Sequence, residues 1–150
     1  MSNISGSSQL EMARVQINRH IIGQVGSRGL RAANELRNAS QLVLRGRRGG
    51  RRYLISGTRR HYTASVPGEP PAVRTGAFRN SWLRKSEIVK RGDYEATIVP
   101  QIYNRTMVNG YYLGEILEDG TGKMAPRPHH DKIKQKALRK VVRIYREPYF

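Results

Sequence analysis

Apolar residues recur every three or four positions along the first third of the chain, which predicts a long amphipathic helix. They form two consecutive stretches of one face: Leu10, Ala13, Ile17, Ile21 and Val25, then Ala32, Leu36, Ala39 and Val43. Ser7 or Ser8 is suited to cap the first turn, because a glutamate follows Ser8 at the spacing of a capping box. We therefore expect a single helix over about residues 8–45.

Three glycines, Gly23, Gly26 and Gly29, lie between the two stretches. Each costs about 1 kcal/mol relative to alanine in a helix interior. We expect that either the helix bends there or another backbone approaches it closely. Because so long a helix cannot be covered by the core of a small chain, we also expect part of it to pack on another chain.

The middle of the chain carries strand patterns. Trp82 to Lys90 and Tyr94 to Ile102 are typical of strands, and Arg91-Gly92-Asp93 between them is typical of a turn. Apolar residues alternate with other residues in the second segment, which predicts a half-buried strand. Pro100 cannot donate to a strand ladder, so we place it near the strand end or at a sheet edge.

The last 42 residues predict a turn, a short element and a final helix. Asn109-Gly110 predicts another turn, and Tyr111 to Glu118 after it is typical of a strand or a short helix. A last helix is predicted over about residues 128–146, with Asp131 near its positive end. Its apolar face consists of Ile133, Ala137, Val141 and Ile144.

Aromatic residues divide into two groups. Trp82, Phe78 and Tyr94 are expected in the core of the small sheet. Tyr149 and Phe150 follow Pro148, past the last predicted helix, and have no helix face on which to pack. Docking of these two aromatic residues on a neighbouring chain is one of two open alternatives.

Composition narrows the function classes. The 150 residues suit a single domain, and a hydrophobic content of 37% allows only a small core. There is no cysteine, which excludes disulfides, thiolate metal sites and cysteine nucleophiles. No apolar run is long enough to span a membrane, and the first residues do not resemble a signal peptide, so we expect no membrane partner and an intracellular origin.

The formal net charge of +17 is unevenly distributed. Residues 1–60 carry 12 basic and 2 acidic side chains, residues 61–126 carry 8 and 7, and residues 127–150 carry 8 and 2. The middle is therefore almost neutral between two basic ends. We expect these ends to face solvent, a neighbouring subunit or a polyanion.

Residues 46–60 contain six arginines and four glycines, which predicts a mobile basic loop or hairpin. A solvated hairpin and a phosphate-binding segment both fit, because phosphate binding requires only a high density of positive charge. A basic nucleic-acid-binding module is therefore the alternative function, although no helix-turn-helix or aromatic platform supports it. The candidate contacts to DNA or an acidic partner are Arg45, Arg47, Arg48, Arg51, Arg52, Arg59 and Arg60.

No enzyme, cofactor or metal site is predicted. The adjacent pair His129-His130 suggests a metal, but neighbouring side chains diverge in regular structure and no spaced carboxylate accompanies them. Glu115 and Glu118 share one face and are expected to pair with arginine. Residues 119–122 do not have the order of an aspartic-protease signature, and residues 46–50 lack the ending of a phosphate loop.

Two motifs stand out in the neutral middle. Residues 65–81 form a stiff, extended segment, since three prolines fix the backbone and remove three hydrogen-bond donors. Gly68 permits a turn within it, and Thr75 is suited to cap a short helical turn. Residues 112–128 combine an apolar and acidic element, a glycine turn and a proline-bounded lead into the last helix.

The two motifs, in this order and before a terminal helix, resemble the head–tail joining proteins of tailed bacteriophages. The family pattern is S-x-P-G-E-P-P-x-x-x-T-G-x-L-x-x-S, followed by Y-x-x-x-x-E-x-G-T-x-x-M-x-x-R-P-F, and the resemblance covers roughly residues 8–146. Four residues depart from it: Phe78 replaces the usual leucine, Arg74 a common aspartate, Asp119 an aromatic and His129 a phenylalanine.

The resemblance implies an α+β fold: a long N-terminal helix, a small antiparallel sheet and a C-terminal helix. It implies a structural virion protein, a neck or tail-completion subunit in a homo-oligomeric ring of roughly six or twelve copies. Such a ring resides at the head–tail junction, after assembly from the host cytoplasm. Its implied partners are other neck proteins and the tail tube or its terminator, and its basic charge would face either DNA in the lumen or an acidic ring on a partner.

Each motif carries residues to which the resemblance assigns a role. The first implies an arm that reaches a neighbouring subunit, formed by Pro67, Gly68, Glu69, Pro70, Pro71, Thr75 and Gly76. The second motif is matched at Glu118, Gly120, Thr121, Met124, Arg127 and Pro128.

Overall fold

The computed structural model describes residues 6–90 and 95–150, so the predicted turn at 91–93 and Tyr94 lie outside the described residues. The helices are α1 (Gly6–Arg45), α2 (Ala77–Asn80), α3 (Leu113–Asp119) and α4 (His130–Tyr145). The strands are β1 (Arg52–Leu54), β2 (His61–Thr63), β3 (Trp82–Lys90), β4 (Ala96–Asn104), β5 (Met107–Val108) and β6 (Tyr111–Tyr112). This order confirms the predicted α+β fold.

Helix α1 is continuous over 40 residues and about 60 Å long, as the apolar spacing predicts. A close approach by neighbouring side chains explains the glycine at position 29. A Cβ there would overlap the side chains of Ser86 on β3 and Ile98 on β4. Gly23 meets nothing within 4 Å, so the glycines are not equally constrained.

Strands β3 and β4 form a two-stranded antiparallel ribbon of nine residue pairs, from Trp82 opposite Asn104 to Lys90 opposite Ala96. Strand β4 starts and ends two residues later than predicted, which places Pro100 in its middle, opposite Ser86. A proline is tolerated there because β4 has no second neighbouring strand among the described residues.

The remaining strands form two short hairpins. β1 pairs with β2, which makes the basic segment a hairpin, and β5 pairs with β6. Asn109 and Gly110 connect β5 and β6 with φ values of 51° and 84°, and these left-handed conformations suit a tight hairpin turn. The segment from Tyr111 to Glu118 is both strand and helix, since β6 leads directly into α3.

The core lies where the second half of α1 meets α4 and the ribbon. Its buried residues are Ala39, Leu44, Trp82, Ile133 and Ala137. The alanines on α1 and α4 let the two helices approach closely, and Trp82 fills the space beside them. Phe78 is half-buried and packs edge-on against Trp82, with ring centroids 5.7 Å apart. Trp82 and Phe78 therefore lie in and beside the core, as predicted.

The first half of α1 extends beyond this core. Leu10 is 74% exposed and Ile17 is 50% exposed, although both lie on the apolar face that the second half of the helix buries. The outer face of the ribbon is also uncovered, with Leu83 and Val89 exposed. Among the described residues, no helix is both long enough and apolar enough to cross a membrane.

Replacing Gly29 by alanine should destabilise the protein relative to the matched change Gly23→Ala. The Cβ at position 29 must displace Ser86 and Ile98, and such overpacking typically costs about 1–3 kcal/mol. Gly23→Ala meets open space and should leave the free energy of unfolding unchanged or raise it by up to about 1 kcal/mol. Urea denaturation of both variants measures the difference, and equal stabilities would contradict the close approach at Gly29.

Candidate assembly surfaces and a carboxylate–histidine cluster

The first motif is fastened to its own chain through the carboxylate of Glu69. This group accepts hydrogen bonds from the backbone N–H of Gly49, at 3.1 and 3.0 Å to its two oxygens, and from that of Val66 at 3.0 Å. The hydrogen bonds from Gly49 and Val66 hold the pKa of Glu69 below its ordinary value. Glu69 thus joins the proline-rich segment to the glycines that follow α1.

Arg48 supplies the second fastening. Its guanidinium donates to the carbonyls of Val43 at 2.9 Å and Leu44 at 3.3 Å, which are among the last carbonyls of α1. The same group donates to the carbonyl of Pro71 at 3.0 and 3.2 Å. Arg48 therefore caps the C-terminus of α1 and binds the proline-rich segment to it, and its guanidinium is not free for a phosphate.

Residues 65–76, here called the proline strap, consequently lie along the body of the chain. Pro71 and Gly76 are buried, and the side-chain amine of Lys132 donates to the carbonyl of Gly68 at 2.6 Å. Val66, Pro67 and Gly68 at its tip are exposed, as are Arg74 and Thr75 near its end. The predicted projecting arm is thus a strap within one chain, while contact of its tip with a neighbour stays a prediction.

The predicted local features of the strap are present. Gly68 and Gly76 adopt φ values of 83° and 86°, which an L side chain rarely adopts. The hydroxyl of Thr75 accepts a hydrogen bond from the backbone N–H of Ala77 at 3.3 Å, at the start of α2. Arg74, which departs from the family pattern, is exposed.

The second motif turns the chain from α3 into α4. Gly120 has a φ of 78°, and a Cβ there would lie 2.7 Å from the carbonyl oxygen of Met124 and 2.8 Å from the nitrogen of Pro126. Thr121 and Met124 bridge the turn with reciprocal backbone hydrogen bonds of 2.8 and 3.1 Å. The backbone N–H of Arg127 then donates to the carbonyl of Leu117 at 2.7 Å, which brings Pro128 beside the end of α3.

Glu118 lies at the centre of a cluster with two histidines. Its Oε2 accepts hydrogen bonds from the backbone N–H of His129 at 2.8 Å and His130 at 3.2 Å, the first N–H groups of α4. The ring Nδ1 of His129 lies 2.9 Å from Oε2, and that of His130 lies 3.8 Å from it. The expectations that the two histidines diverge and that Glu118 pairs with arginine are therefore wrong.

The histidines converge because His129 precedes the regular part of α4, with φ −138° and ψ −23°. The ring of His129 is fully buried, with its centroid 5.7 Å from that of Phe78 and 5.9 Å from that of Trp82. No local sequence signal predicts its contact with Glu118, since the pairing depends on the turn between α3 and α4.

Burial and hydrogen bonding affect the pKa of Glu118 and the pKa of His129 in different ways. Burial tends to raise the pKa of Glu118, but the backbone N–H groups of His129 and His130 outweigh it and leave this pKa below its ordinary value. Burial lowers the pKa of His129, against the opposing effect of the Arg127 carbonyl. Near neutral pH the cluster therefore consists of an ionised carboxylate beside a neutral buried imidazole.

Six of the seven candidate arginines remain available for an external partner. Within residues 6–90 and 95–150, none of the six forms an ion pair with an acidic side chain, and all six are exposed. They are Arg45, Arg47, Arg51, Arg52, Arg59 and Arg60. The hairpin also carries Tyr53 and Tyr62 with ring centroids 5.9 Å apart.

The last residues dock on α1 of the same chain, which the sequence left open. Arg28 is only 2% exposed, and it donates to the carbonyl of Pro148 at 2.7 Å with its guanidinium carbon 3.8 Å from the centroid of the Tyr149 ring. Arg31 forms a bidentate ion pair with Glu147 at 2.5 and 2.6 Å. Phe150 stacks on His20 yet remains 85% exposed.

Comparison with known proteins adds no relative to these observations. No protein family, curated protein or solved structure matches the chain. Support for a function therefore comes from the two motifs and from the contacts and exposed surfaces described above.

Replacing Arg48 by glutamine should lower the free energy of unfolding by about 1.5–3 kcal/mol, because hydrogen bonds from a charged donor to several carbonyls are lost. Arg47→Gln is the matched control, since Arg47 is exposed, and it should change stability by no more than about 0.5 kcal/mol. Chemical denaturation measures both. Equal effects of the two changes would rule out the capping role of Arg48.

Proposed function

We propose that this chain is a structural virion protein at the head–tail junction of a tailed bacteriophage. In this proposal it forms a homo-oligomeric ring, as a neck or tail-completion subunit, and joins the tail to the DNA-filled capsid. The observation that carries the proposal is the pair of motifs at residues 65–81 and 112–128, found in order on an α+β chain whose first helix is half uncovered. Its neighbours would be other neck proteins and the tail tube or terminator.

The uncovered half of α1 supports an assembled state. Leu10 and Ile17 on its apolar face are 74% and 50% exposed, and fully burying one such side chain is worth about 1.5–3 kcal/mol. A monomer has no use for this stripe, whereas a neighbouring subunit gains by covering it. In the proposed ring, a different surface of the neighbouring subunit would cover this stripe, which makes the contact heterologous and able to close by rotation.

The open edges of the β3–β4 ribbon offer a second means of association. Within the described residues each strand pairs with one other strand only. The N–H and C=O groups along its outer edge therefore form no hydrogen bonds to a second strand. A strand from another subunit can extend such a sheet through main-chain hydrogen bonds. The exposed Leu83 and Val89 on the outer ribbon face add apolar surface beside these edges.

Replacing exposed apolar residues in the first half of α1 should weaken assembly and leave the folding of the single chain unchanged. Native mass spectrometry and solution scattering of the wild-type chain, alone and with neck partners, should reveal an oligomer. The double change Leu10→Gln and Ile17→Gln should weaken the oligomer at least about tenfold, equivalent to about 1.4 kcal/mol, and leave the urea midpoint of the subunit unchanged.

The matched control is Leu42→Gln with Leu138→Gln, because these leucines are also 51% and 58% exposed but lie elsewhere on the chain. This control should assemble as the wild type does. A wild-type chain that stays monomeric at every concentration, with and without neck partners, would refute the ring.

A basic nucleic-acid-binding module is the second candidate, favoured by the six exposed arginines that have no acidic partner among the described residues. They are concentrated at the end of α1 and on the β1–β2 hairpin, and such density suits contact with phosphates. Within the first proposal, the same surface would face DNA in the ring lumen or an acidic partner. The two candidates differ in whether the isolated chain holds DNA strongly.

Salt dependence of DNA binding distinguishes them. Changing Arg47, Arg51, Arg52 and Arg59 to glutamine should reduce the slope of log affinity against log salt by about 3–4 if all four contact phosphates. Arg48 is kept because it holds the strap. The control changes Lys136, Arg139, Arg143 and Arg146 on and just after α4, with the same loss of charge, and should reduce the slope by less than about 1.

If both quadruple variants weaken DNA binding equally, the binding depends only on the total positive charge of the chain, and the hairpin has no special role. If the hairpin variant loses DNA binding but still assembles, DNA contact is separable from the ring.

A further inference from the structure

We propose that Glu118, His129 and His130 form a binding site for one transition-metal ion of the zinc class. The proposal goes beyond the head–tail function and stands independently of it. The ligand atoms are the carboxylate of Glu118 and one ring nitrogen from each histidine, and these three atoms all lie within 4.8 Å of one another. No other such group of three histidine or acidic residues occurs in the part of the chain that the structure describes.

The spacing of these atoms suits a tetrahedral ion. Zinc binds imidazole nitrogen and carboxylate oxygen at about 2.0–2.2 Å, which places neighbouring ligands roughly 3.3–3.5 Å apart. Here Oε2 of Glu118 lies 2.9 Å from Nδ1 of His129 and 3.8 Å from Nδ1 of His130. One distance is shorter and the other longer than needed by a few tenths of an ångström, which side-chain rotation corrects.

Two acceptor oxygens lie beside His129 Nδ1, a place where either a proton or a metal ion is stabilised. This nitrogen faces two oxygens, Oε2 of Glu118 at 2.9 Å and the carbonyl of Arg127 at 3.0 Å. Two oxygens beside one imidazole nitrogen are tolerated only with a proton or a cation among the three atoms. Metal binding at Nδ1 requires the proton of the neutral ring to move to Nε2, which is buried and has no hydrogen-bond partner among the described residues.

The cluster is rigid on one side and open on the other. His129 is held by the rings of Phe78 and Trp82, and Glu118 is held by two backbone N–H groups of α4. The side chain of His130 is 45% exposed, which leaves an entry path and room for water as a further ligand. Fixed ligands reduce the entropy lost on binding, and an open position is common in three-ligand zinc sites.

The ligand atoms, one carboxylate and two imidazole nitrogens, determine which ions the cluster can bind. Imidazole nitrogen favours zinc, copper, nickel or cobalt over calcium and magnesium, which prefer all-oxygen sites. The positive end of α4 opposes a cation at this position, but the charge of Glu118 offsets it. Because Glu118 belongs to α3 and both histidines begin α4, the ion would link the two helices across the second motif.

Titration with zinc chloride tests the site. The full chain, free of any affinity tag and stripped with a chelator, should bind one zinc ion by calorimetry. His130→Ala and Glu118→Gln should each weaken zinc binding at least tenfold. His61→Ala is the matched control, since His61 is exposed on β2, and it should leave zinc binding unchanged. Magnesium and calcium should not compete.

Folding and metal binding are separated by a second readout. Because His130 is exposed, His130→Ala should keep the apo melting temperature of the wild type, whereas zinc should raise the melting temperature of the wild type only. Cobalt should give a visible absorption band of low coordination number in the wild type and not in His130→Ala. Absence of saturable zinc binding, or equal zinc affinity in wild type and His130→Ala, would overturn the proposal.

Discussion

A 40-residue helix in a chain with a small core imposes the main constraint on this structure. Only the second half of α1 is covered, by α4 and the β3–β4 ribbon, because just eight apolar side chains are buried among the described residues. Gly29 marks the closest approach of the ribbon, and the apolar face nevertheless continues toward Leu10 without cover. The same constraint thus explains both how the chain folds and why part of its apolar surface is exposed.

Glu69 and Glu118 of the two motifs act near helix ends, together with Arg48, which lies in the basic segment outside both motifs. At the end of α1, Arg48 binds otherwise unpaired carbonyls and Glu69 fixes the strap to the following glycines. At the start of α4, Glu118 receives the first backbone N–H groups. A buried helix end without such partners would be costly, since four backbone groups at each terminus lack intrahelical bonds. The motifs are therefore structural within one chain, whatever they contact in an assembly.

The basic charge has a more divided role than its total suggests. Arg48 serves the fold, Arg28 and Arg31 hold the last residues against α1, and six arginines near the hairpin remain exposed. Charge density identified the segment, but composition could not separate a helix cap from a surface contact. That distinction depends on which carbonyls and carboxylates the fold brings within hydrogen-bond distance.

Local pattern alone determined much of the architecture: α1 and α4 from helical spacing, β3 from its strand-forming residues before a turn cluster, and the Asn109-Gly110 turn from residue type. These features depend on neighbours within a few positions, so a single sequence reports them. Tertiary structure decided the rest, including the shift of β4 around Pro100, the docking of Tyr149 on Arg28 and the meeting of Glu118 with His129. The last two join different elements, and all three depend on packing and backbone closure, for which local periodicity carries no signal.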